Sequence, residues 1–234
     1  MKKNISNICE NLYSYCLKNI PQIQNNEIMW ILNGSILCNV LANVETIDGE
    51  IIPSELHNLF EELVRTPKGD IDICYKPVMP YKFDLEADAV KEFYNVSDEQ
   101  RTYNFVDSND ELSEEDLKQL CFYKTKNGLE FYAKKPQFVF LYKFKEFVAM
   151  FHSEIMSNDY QRIIEKRKNI LNDVKTLYKI SCEYIGENQT YNLLIDNLYN
   201  ISAYMHEIYN YDRVEYSKVI DSAIQMILVK SKTL

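Results

Sequence analysis

Hydrophobic and polar residues follow two different patterns along the chain, one typical of short strands and helices and the other of long helices. In the first part, short apolar runs are separated by turn residues. Ile28–Leu32 is such a run, and Asn33, Gly34 and Ser35 follow it before a second apolar stretch. We predict a buried strand, a tight turn and a helix over 35–43, because glycine allows the turn and serine suits a helix start.

Strands and short helices are predicted up to about residue 135. Arg101–Asp107 has the aromatic and branched residues of a strand, whereas residues 83–100 are acidic and predict a mixture of helix and loop. Asn127 and Gly128 predict a hairpin turn, since this dipeptide suits a tight reversal of the chain. The remaining predicted pieces are a helix over 5–20, a turn at 47–51, a helix from Ser54, and hairpin strands at 120–123 and 129–133.

The pattern changes at Pro136, which is the last proline of the chain, and only Gly186 follows it among the glycines. Beyond this point apolar residues recur at the spacing of amphipathic helices. The predicted helical segments are 137–156, 158–185, 189–209 and 212–230. The sequence therefore predicts an α+β protein, with a mixed sheet and helices in residues 1–135 and a helical bundle in residues 136–234.

Composition narrows the classes of function. The chain has 234 residues and a net charge of −9, which argues against broad capture of nucleic acid or of an anionic membrane but allows an RNA in a local basic groove. No apolar run reaches the about 20 residues of a membrane span, and no signal-peptide core is present. Six scattered cysteines without a CxxC pair indicate reduced thiols. We expect a cytoplasmic protein without a membrane partner.

Two carboxylates stand two positions apart in Gly69-Asp70-Ile71-Asp72-Ile73. Alternate residues of a strand share a face, so Asp70 and Asp72 are expected on one side of the sheet while the two isoleucines contact the core. Like charges this close repel unless a cation lies between them, and Mg²⁺ is the cation that carboxylate oxygens suit. The motif is therefore a candidate magnesium site.

The Gly34-Ser35 turn and the Asp70-x-Asp72 strand together resemble the nucleotidyltransferase superfamily, which shares the fold of DNA polymerase beta. The loop that runs from Arg65 as Arg-Thr-Pro-Lys-Gly-Asp-Ile-Asp is also similar to the Arg-x-Thr-x-Asp-hydrophobic-Asp run of AbiEii-type nucleotidyltransferases. Those proteins are the toxin half of certain bacterial toxin–antitoxin systems. The resemblance covers about residues 28–178. It implies a nucleotidyltransferase-type mixed sheet with helices, followed by the C-terminal bundle.

The resemblance also implies an activity, namely transfer of a nucleoside monophosphate from a nucleoside triphosphate to an acceptor hydroxyl. Two Mg²⁺ ions would be held by Asp70, Asp72 and a third carboxylate. For that third carboxylate we choose Asp107, and Glu130 and Asp110 are alternatives.

Four residues are predicted to contact the triphosphate, namely Gly34, Ser35, Lys68 and Lys143. Backbone N–H groups at a helix start suit phosphate oxygens. Phe140-x-x-Lys143-Phe144 resembles the family segment Leu-x-x-Lys-Leu, in which the lysine lies over the triphosphate, although a solvated helix lysine is the alternative. Asp173 would match an acid of a further family helix, and a surface aspartate is the alternative there. The nucleotide is expected between the catalytic part and the bundle.

Three functions remain open from the sequence. The first is a magnesium-dependent nucleotidyltransferase that acts on RNA, a protein or a small molecule, and as a toxin it would have an antitoxin partner. The second is a catalytically inactive module of the same fold that binds nucleotide or a partner. A missing third carboxylate near Asp70 and Asp72 would favour it. The third is an antibiotic-modifying nucleotidyltransferase, which would need a small, acid-lined acceptor pocket.

Overall fold

A computed structural model describes residues 28–32, 34–63, 71–77, 93–96, 99–107, 114–156, 160–209 and 213–228, with side chains for 31–32, 37–63, 114–149, 164, 167–203 and 218–228. Over these residues a mixed sheet is combined with helices, which confirms the predicted α+β class. The chain divides into two compact units, Met1–Lys135 and Pro136–Leu234. The boundary falls where the sequence pattern changes.

The described part of the first unit contains eight strands: β1 (Ile28–Leu32), β2 (Val44–Ile47), β3 (Glu50–Ile51), β4 (Ile71–Pro77), β5 (Phe93–Val96), β6 (Glu99–Asp107), β7 (Leu120–Thr125) and β8 (Glu130–Lys134). They form one sheet in the order β3-β2-β7-β8-β1-β4-β6-β5. The sheet is mixed, because β1 runs antiparallel to β4 and parallel to β8, and β4 runs parallel to β6.

Three helices accompany this sheet in the described residues, namely α1 (Gly34–Leu41), α2 (Ser54–Glu62) and α3 (Glu114–Lys118). α1 lies next to α2 and β4. It contributes Leu37, Val40 and Leu41, each at most 3% exposed, to the interior of the unit. The helical spacing of these apolar residues is what places them on one buried side of the helix.

One prediction for this unit was wrong and one lies outside the description. Residues 93–96 and 99–100 are strand, not the helix and loop predicted for 83–100. Here Phe93 pairs with Thr102 and Tyr94 with Arg101 across an antiparallel ladder. Such pairing between strands outweighs the local acidic composition, because ladder hydrogen bonds and cross-strand contacts stabilise short aromatic stretches. The helix predicted over residues 5–20 lies outside the described residues.

The hairpin between β7 and β8 closes at the predicted dipeptide. Gly128 has a φ of +87°, a left-handed conformation that glycine adopts without steric cost. The hydroxyl of Thr125 hydrogen-bonds to the Asn127 side chain, and its oxygen also accepts a 3.0 Å hydrogen bond from the backbone N–H of Leu129. These bonds satisfy polar groups of the turn and fix the register of the two strands.

The sheet has two faces of different burial where this hairpin crosses it. One face, the core face, carries Cys121, Tyr123, Phe131 and Ala133, which are at most 3% exposed. The other, the outer face, carries half-buried Phe122, Tyr132 and Lys134 and exposed Lys124 and Glu130. Aromatic pairs lie on both faces, stacked for Tyr123 and Phe131 and edge-to-face for Phe122 and Tyr132. The alternation follows from the two-residue period of a strand.

The described part of the second unit is helical, with α4 (Pro136–Met156), α5 (Tyr160–Ile185), α6 (Glu187–Asp196), α7 (Leu198–Tyr209) and α8 (Arg213–Leu228). The segment predicted as one helix over 189–209 is broken at Asn197, whose side-chain amide donates a 2.8 Å hydrogen bond to the Leu193 carbonyl. α4 packs against α5, and the Phe140 and Tyr178 rings meet edge to face at 5.5 Å. None of the helices that the structure describes is both long and apolar enough for a membrane crossing.

Phe131→Ala should lower the free energy of unfolding of the first unit by about 3–5 kcal/mol, because it removes a fully buried ring from the core face. Phe122→Ala removes the same ring from the half-buried outer face and is expected to cost at most about half as much. Urea unfolding followed by the emission of Trp30, the single tryptophan of the sequence, reports this unit selectively. Equal losses for the two variants would contradict the assignment of the faces.

Candidate functional site

The candidate site begins at the junction of β1 and α1. β1 ends at Leu32 and α1 begins at Gly34, so a single residue separates the strand from the helix. Gly34 and Ser35 are therefore the first two residues of α1, one position earlier than the predicted start. The first N–H groups of a helix have no acceptor within the helix and carry the positive end of its dipole. This end of α1 is therefore suited to an anion.

Antiparallel pairing of β1 with β4 brings the second half of the motif to the same place. Leu32, the last residue of β1, pairs with Ile73. Asp72 precedes Ile73 and so lies at the edge of the sheet where β1 ends and α1 begins. The structure therefore brings Asp72 and the Gly34-Ser35 segment together, although β2, β3 and α2 separate them in the sequence.

The pairing of β4 with β1 and of β1 with β8 shows on which face of the sheet Asp72 lies. Cys74 pairs with Ile31, and Ile31 pairs with Tyr132, a residue of the outer face. Paired residues of neighbouring strands share a face, and residues two apart on one strand do so as well. Position 72 is therefore on the outer face and Ile73 is on the core face, which is the arrangement that alternation in the sequence predicts.

The residue of β6 beside Asp72 is not the predicted one. In the parallel register of β4 and β6, Asp72 pairs with Asn104, whereas Asp107 pairs with Tyr75. Three positions separate Asn104 from Asp107, and an odd separation along a strand changes the face. The structure thus does not bring Asp107 to Asp72, and it places Asn104 there instead.

The outer face changes character toward this edge. One row of paired residues across the strands is apolar, and it consists of Tyr132, Ile31, Cys74 and Val106. Ile31 in this row is only 1% exposed. Two residues further toward the end of β1 the positions are polar, namely Lys134, Asp72 and Asn104. We call these three positions the edge row. A polar row at a strand end beside a helix N-terminus is a common place for ligands in sheets covered by helices.

Lys134 of the edge row already has a partner. Its Nζ lies 2.9 Å from Asp116 Oδ1, and both side chains are less than one-third exposed. Two strand spacings separate Lys134 from Asp72, which is about 10 Å. At this distance Lys134 contributes to the electrostatic potential around Asp72 more than to direct contact with an anionic ligand bound beside Asp72.

Glu130, which the sequence offered as an alternative third carboxylate, does not join the edge row. Glu130 is exposed, and its Oε1 lies 2.9 Å from Lys124 Nζ. It precedes Tyr132 by two residues, so it lies on the far side of the apolar row from Asp72. Asp70, Lys68 and Asp110 lie outside the described residues.

Lys143 and Asp173 belong to the helical unit. Lys143, on α4, is 17% exposed, and its Nζ lies 2.6 Å from Glu146 Oε2 one turn later. A carboxylate this close lowers the attraction of the lysine for phosphate, since the two anions compete for one charge. Asp173, on α5, is 8% exposed and is therefore not the surface aspartate of the alternative interpretation.

Cysteine chemistry is disfavoured at two described positions. Burial raises the pKa of the Cys121 thiol to about 12, and burial also raises the pKa of Cys182. Thiols in this state are protonated at neutral pH and are poor nucleophiles. Among the residues with described side chains, no three His, Cys, Asp or Glu converge in a way that could hold a metal ion. The edge row, whose members at 72 and 104 are placed by their strands, remains the candidate site.

Comparisons of the chain with family models, with curated proteins and with solved structures found no match. The case for a function therefore rests on the residues themselves and on where the fold places them.

Asn104 is the residue that reasoning from the sequence missed. The strand at Arg101–Asp107 was predicted, and alternation alone shows that Asn104 and Asp107 lie on opposite faces. Which of the two faces meets Asp72 depends on the register of β6 against β4, and no short-range signal reports it.

Replacing Asp72 tests whether its carboxylate is structural. In metal-free, low-salt buffer, Asp72→Asn should raise the free energy of unfolding by a few tenths of a kcal/mol, because Asp70, two positions earlier in the sequence, carries a like charge. The matched control Asp116→Asn should lower it by about 0.5–1 kcal/mol, because Asp116 pairs with Lys134. Urea unfolding followed by Trp30 emission measures both. A loss of stability for Asp72→Asn would show that its carboxylate has a fixed structural partner.

Proposed function

We propose that the chain is a nucleotidyltransferase of the polymerase-beta type, which transfers a nucleoside monophosphate from a nucleoside triphosphate to an acceptor hydroxyl in the presence of Mg²⁺. The register of β1 and β4 carries this proposal, because it puts Asp72 and the N-terminus of α1 at one edge of the sheet. A helix N-terminus attracts phosphate and a carboxylate attracts a hard cation, so the two together suit a magnesium–triphosphate complex.

Each residue has a role in this proposal. Asp70 and Asp72 would hold Mg²⁺, which when bound offsets the negative charge that develops as pyrophosphate leaves. The backbone N–H groups of Gly34 and Ser35 would orient the β- and γ-phosphates. Little covalent chemistry falls to the protein in such a reaction, so positioning and electrostatics account for most of the catalysis.

Lys68 and Lys143 remain proposed phosphate contacts on the strength of the family resemblance. For Lys143 the proposal requires a change of partner, since its ammonium group is paired with Glu146 at 2.6 Å. A triphosphate carries several anionic oxygens and competes well with one carboxylate for a lysine.

The acceptor and the setting of the reaction are also proposals. The net charge of −9 means that an RNA acceptor would need a local basic groove, whereas a protein side chain or a small molecule would not. Action as a toxin with an antitoxin partner follows from the resemblance to AbiEii-type proteins. A cytoplasmic location is supported by Cys38, Cys121 and Cys182, which are free thiols.

A second function, nucleotide binding without transfer, is favoured by one observation. The residue of β6 in register with Asp72 is Asn104, an amide. A side-chain amide does not take a proton from an attacking hydroxyl, whereas a carboxylate does. An assay with an α-labelled triphosphate distinguishes the two functions. Transfer of the label to RNA, protein or small-molecule acceptors indicates the transferase, whereas binding without transfer indicates the second function.

Calorimetric titration with ATP, GTP, CTP and UTP tests the site itself. The wild-type protein should bind at least one triphosphate in the presence of Mg²⁺ and not in the presence of EDTA. Asp70→Asn/Asp72→Asn should weaken that binding at least about tenfold, which is about 1.4 kcal/mol, because two ligands of the cation lose their charge. Glu130→Gln, which removes an exposed carboxylate on the far side of the apolar row, should bind like the wild type. No binding of any triphosphate by the folded wild-type protein would reject the proposed function.

Ser35→Ala tests the helix end by removing a hydroxyl from the first turn of α1 beside the proposed phosphates. The affinity of this variant for the triphosphate found above should fall at least about tenfold, because a hydrogen bond to a charged group contributes about 1.5–3 kcal/mol. Ser54→Ala is the matched control, because Ser54 is exposed at the first turn of α2 and its hydroxyl donates to Glu55 at 3.1 Å. Equal effects of the two variants on affinity would exclude a specific role for the Ser35 hydroxyl.

A further inference from the structure

A groove of about 600 Å³ runs between α5 and α8 in the helical unit. α5 contributes Leu171 and Lys175 to its walls, and α8 contributes Met226 together with polar residues. Met226 is exposed, and so is Ile164, which stands seven residues before Leu171 on α5. Residues seven apart lie on the same side of a helix, so open apolar surface continues from the groove along α5.

The surroundings of this groove are positively charged. Lys175 lines the groove, Lys168 is seven residues before it on the same side of α5, and Lys218 precedes Asp221 by three residues on α8. Asp221 is an acid that also lines the groove. Among the residues whose side chains are described, none of the three lysines makes an ion pair. The groove therefore suits an occupant that combines apolar and acidic groups.

The same unit exposes an apolar ridge on α6 and α7. Tyr191, Ile195 and Tyr199 follow one another at four-residue spacing, and all three are exposed, Tyr199 to 77%. Asn197, at the break between the helices, has αR backbone angles (φ −91°, ψ −3°), and its carbonyl accepts a 2.9 Å hydrogen bond from the N–H of Ile201. The helical spacing therefore continues across the break. We call Tyr191, Ile195 and Tyr199 the tyrosine ridge.

The charge around the tyrosine ridge is opposite to that of the groove. Residues 187–209, which span α6 and α7, contain three acids and neither lysine nor arginine. Glu187 stands one turn before Tyr191, and Asp196 directly follows Ile195; both acids are exposed. The ridge thus presents apolar side chains with acids beside them, which is the combination that the groove suits.

We propose that the groove of one copy of this chain binds the tyrosine ridge of a second copy. This inference goes beyond the proposed function and does not rest on it. Two different surfaces meet in such a contact, so each copy keeps one free groove or ridge and association continues into a ring or a longer assembly. A symmetric contact of groove against groove is disfavoured, because it would set the lysines of the two copies against one another.

Sedimentation velocity of the full chain measures this self-association. In low-salt buffer the average mass of the wild-type protein should rise with protein concentration. Added salt should lower the average mass again, because it screens the attraction between the lysines of the groove and the acids beside the ridge.

Two variants each alter one of the surfaces. Lys175→Glu reverses a charge inside the groove, and Tyr199→Lys places a positive charge on the ridge. Each should weaken self-association at least about tenfold, because like charges then face one another in the contact. Circular dichroism establishes that both variants keep their helices.

Lys118→Glu and Tyr142→Lys are the matched controls. They make the same substitutions at an exposed lysine of α3 and an exposed tyrosine of α4, and neither residue lines the groove or belongs to the ridge. Both controls should associate like the wild type.

A mixture of the two altered proteins tests whether groove and ridge bind each other. Equal amounts of Lys175→Glu and Tyr199→Lys should form a one-to-one dimer and nothing larger, because one intact ridge then meets one intact groove. Wild-type protein that stays monomeric up to about 1 mM would overturn the inference, and so would self-association that both variants retain. Two monomeric variants that remain monomeric when mixed would overturn it as well.

Discussion

The register of three neighbouring strands is the constraint on which the rest of this site depends. β1 pairs with β4 through Leu32 and Ile73, and this one pairing decides both the face and the edge at which Asp72 stands. A slip by one residue would move Asp72 to the core face and Ile73 to the outer face, at the cost of burying a carboxylate. The packing of apolar residues such as Leu32 and Ile73 therefore fixes the position of Asp72 in the candidate site.

Much of this arrangement follows from local signals. The apolar run before Gly34 predicted β1 and the start of α1, and the Asn127-Gly128 dipeptide predicted the hairpin of β7 and β8, because each signal acts within a few residues. The alternation around Asp72 likewise fixes which residues share its face. By contrast, β5 forms because it pairs with β6, although the local acidic composition predicts helix and loop there.

What the sequence could not provide is the meeting of distant segments. Asp107 was chosen as the third carboxylate because it ends a strand after the Asp-x-Asp motif, and nothing local distinguishes it from Asn104. The register of β4 and β6 distinguishes them at once, since only Asn104 pairs with Asp72. In the helical unit the burial of Asp173 and the pairing of Lys143 with Glu146 are likewise products of packing, and helix periodicity does not report either.

Charge balance connects these observations. Lys134 is held by Asp116, and Lys143 is held by Glu146, so these two cations are already partly neutralised by carboxylates of their own units. In the proposed function, phosphate recognition at the edge row would therefore depend on the N-terminus of α1 and on a bound cation, both of which act at short range.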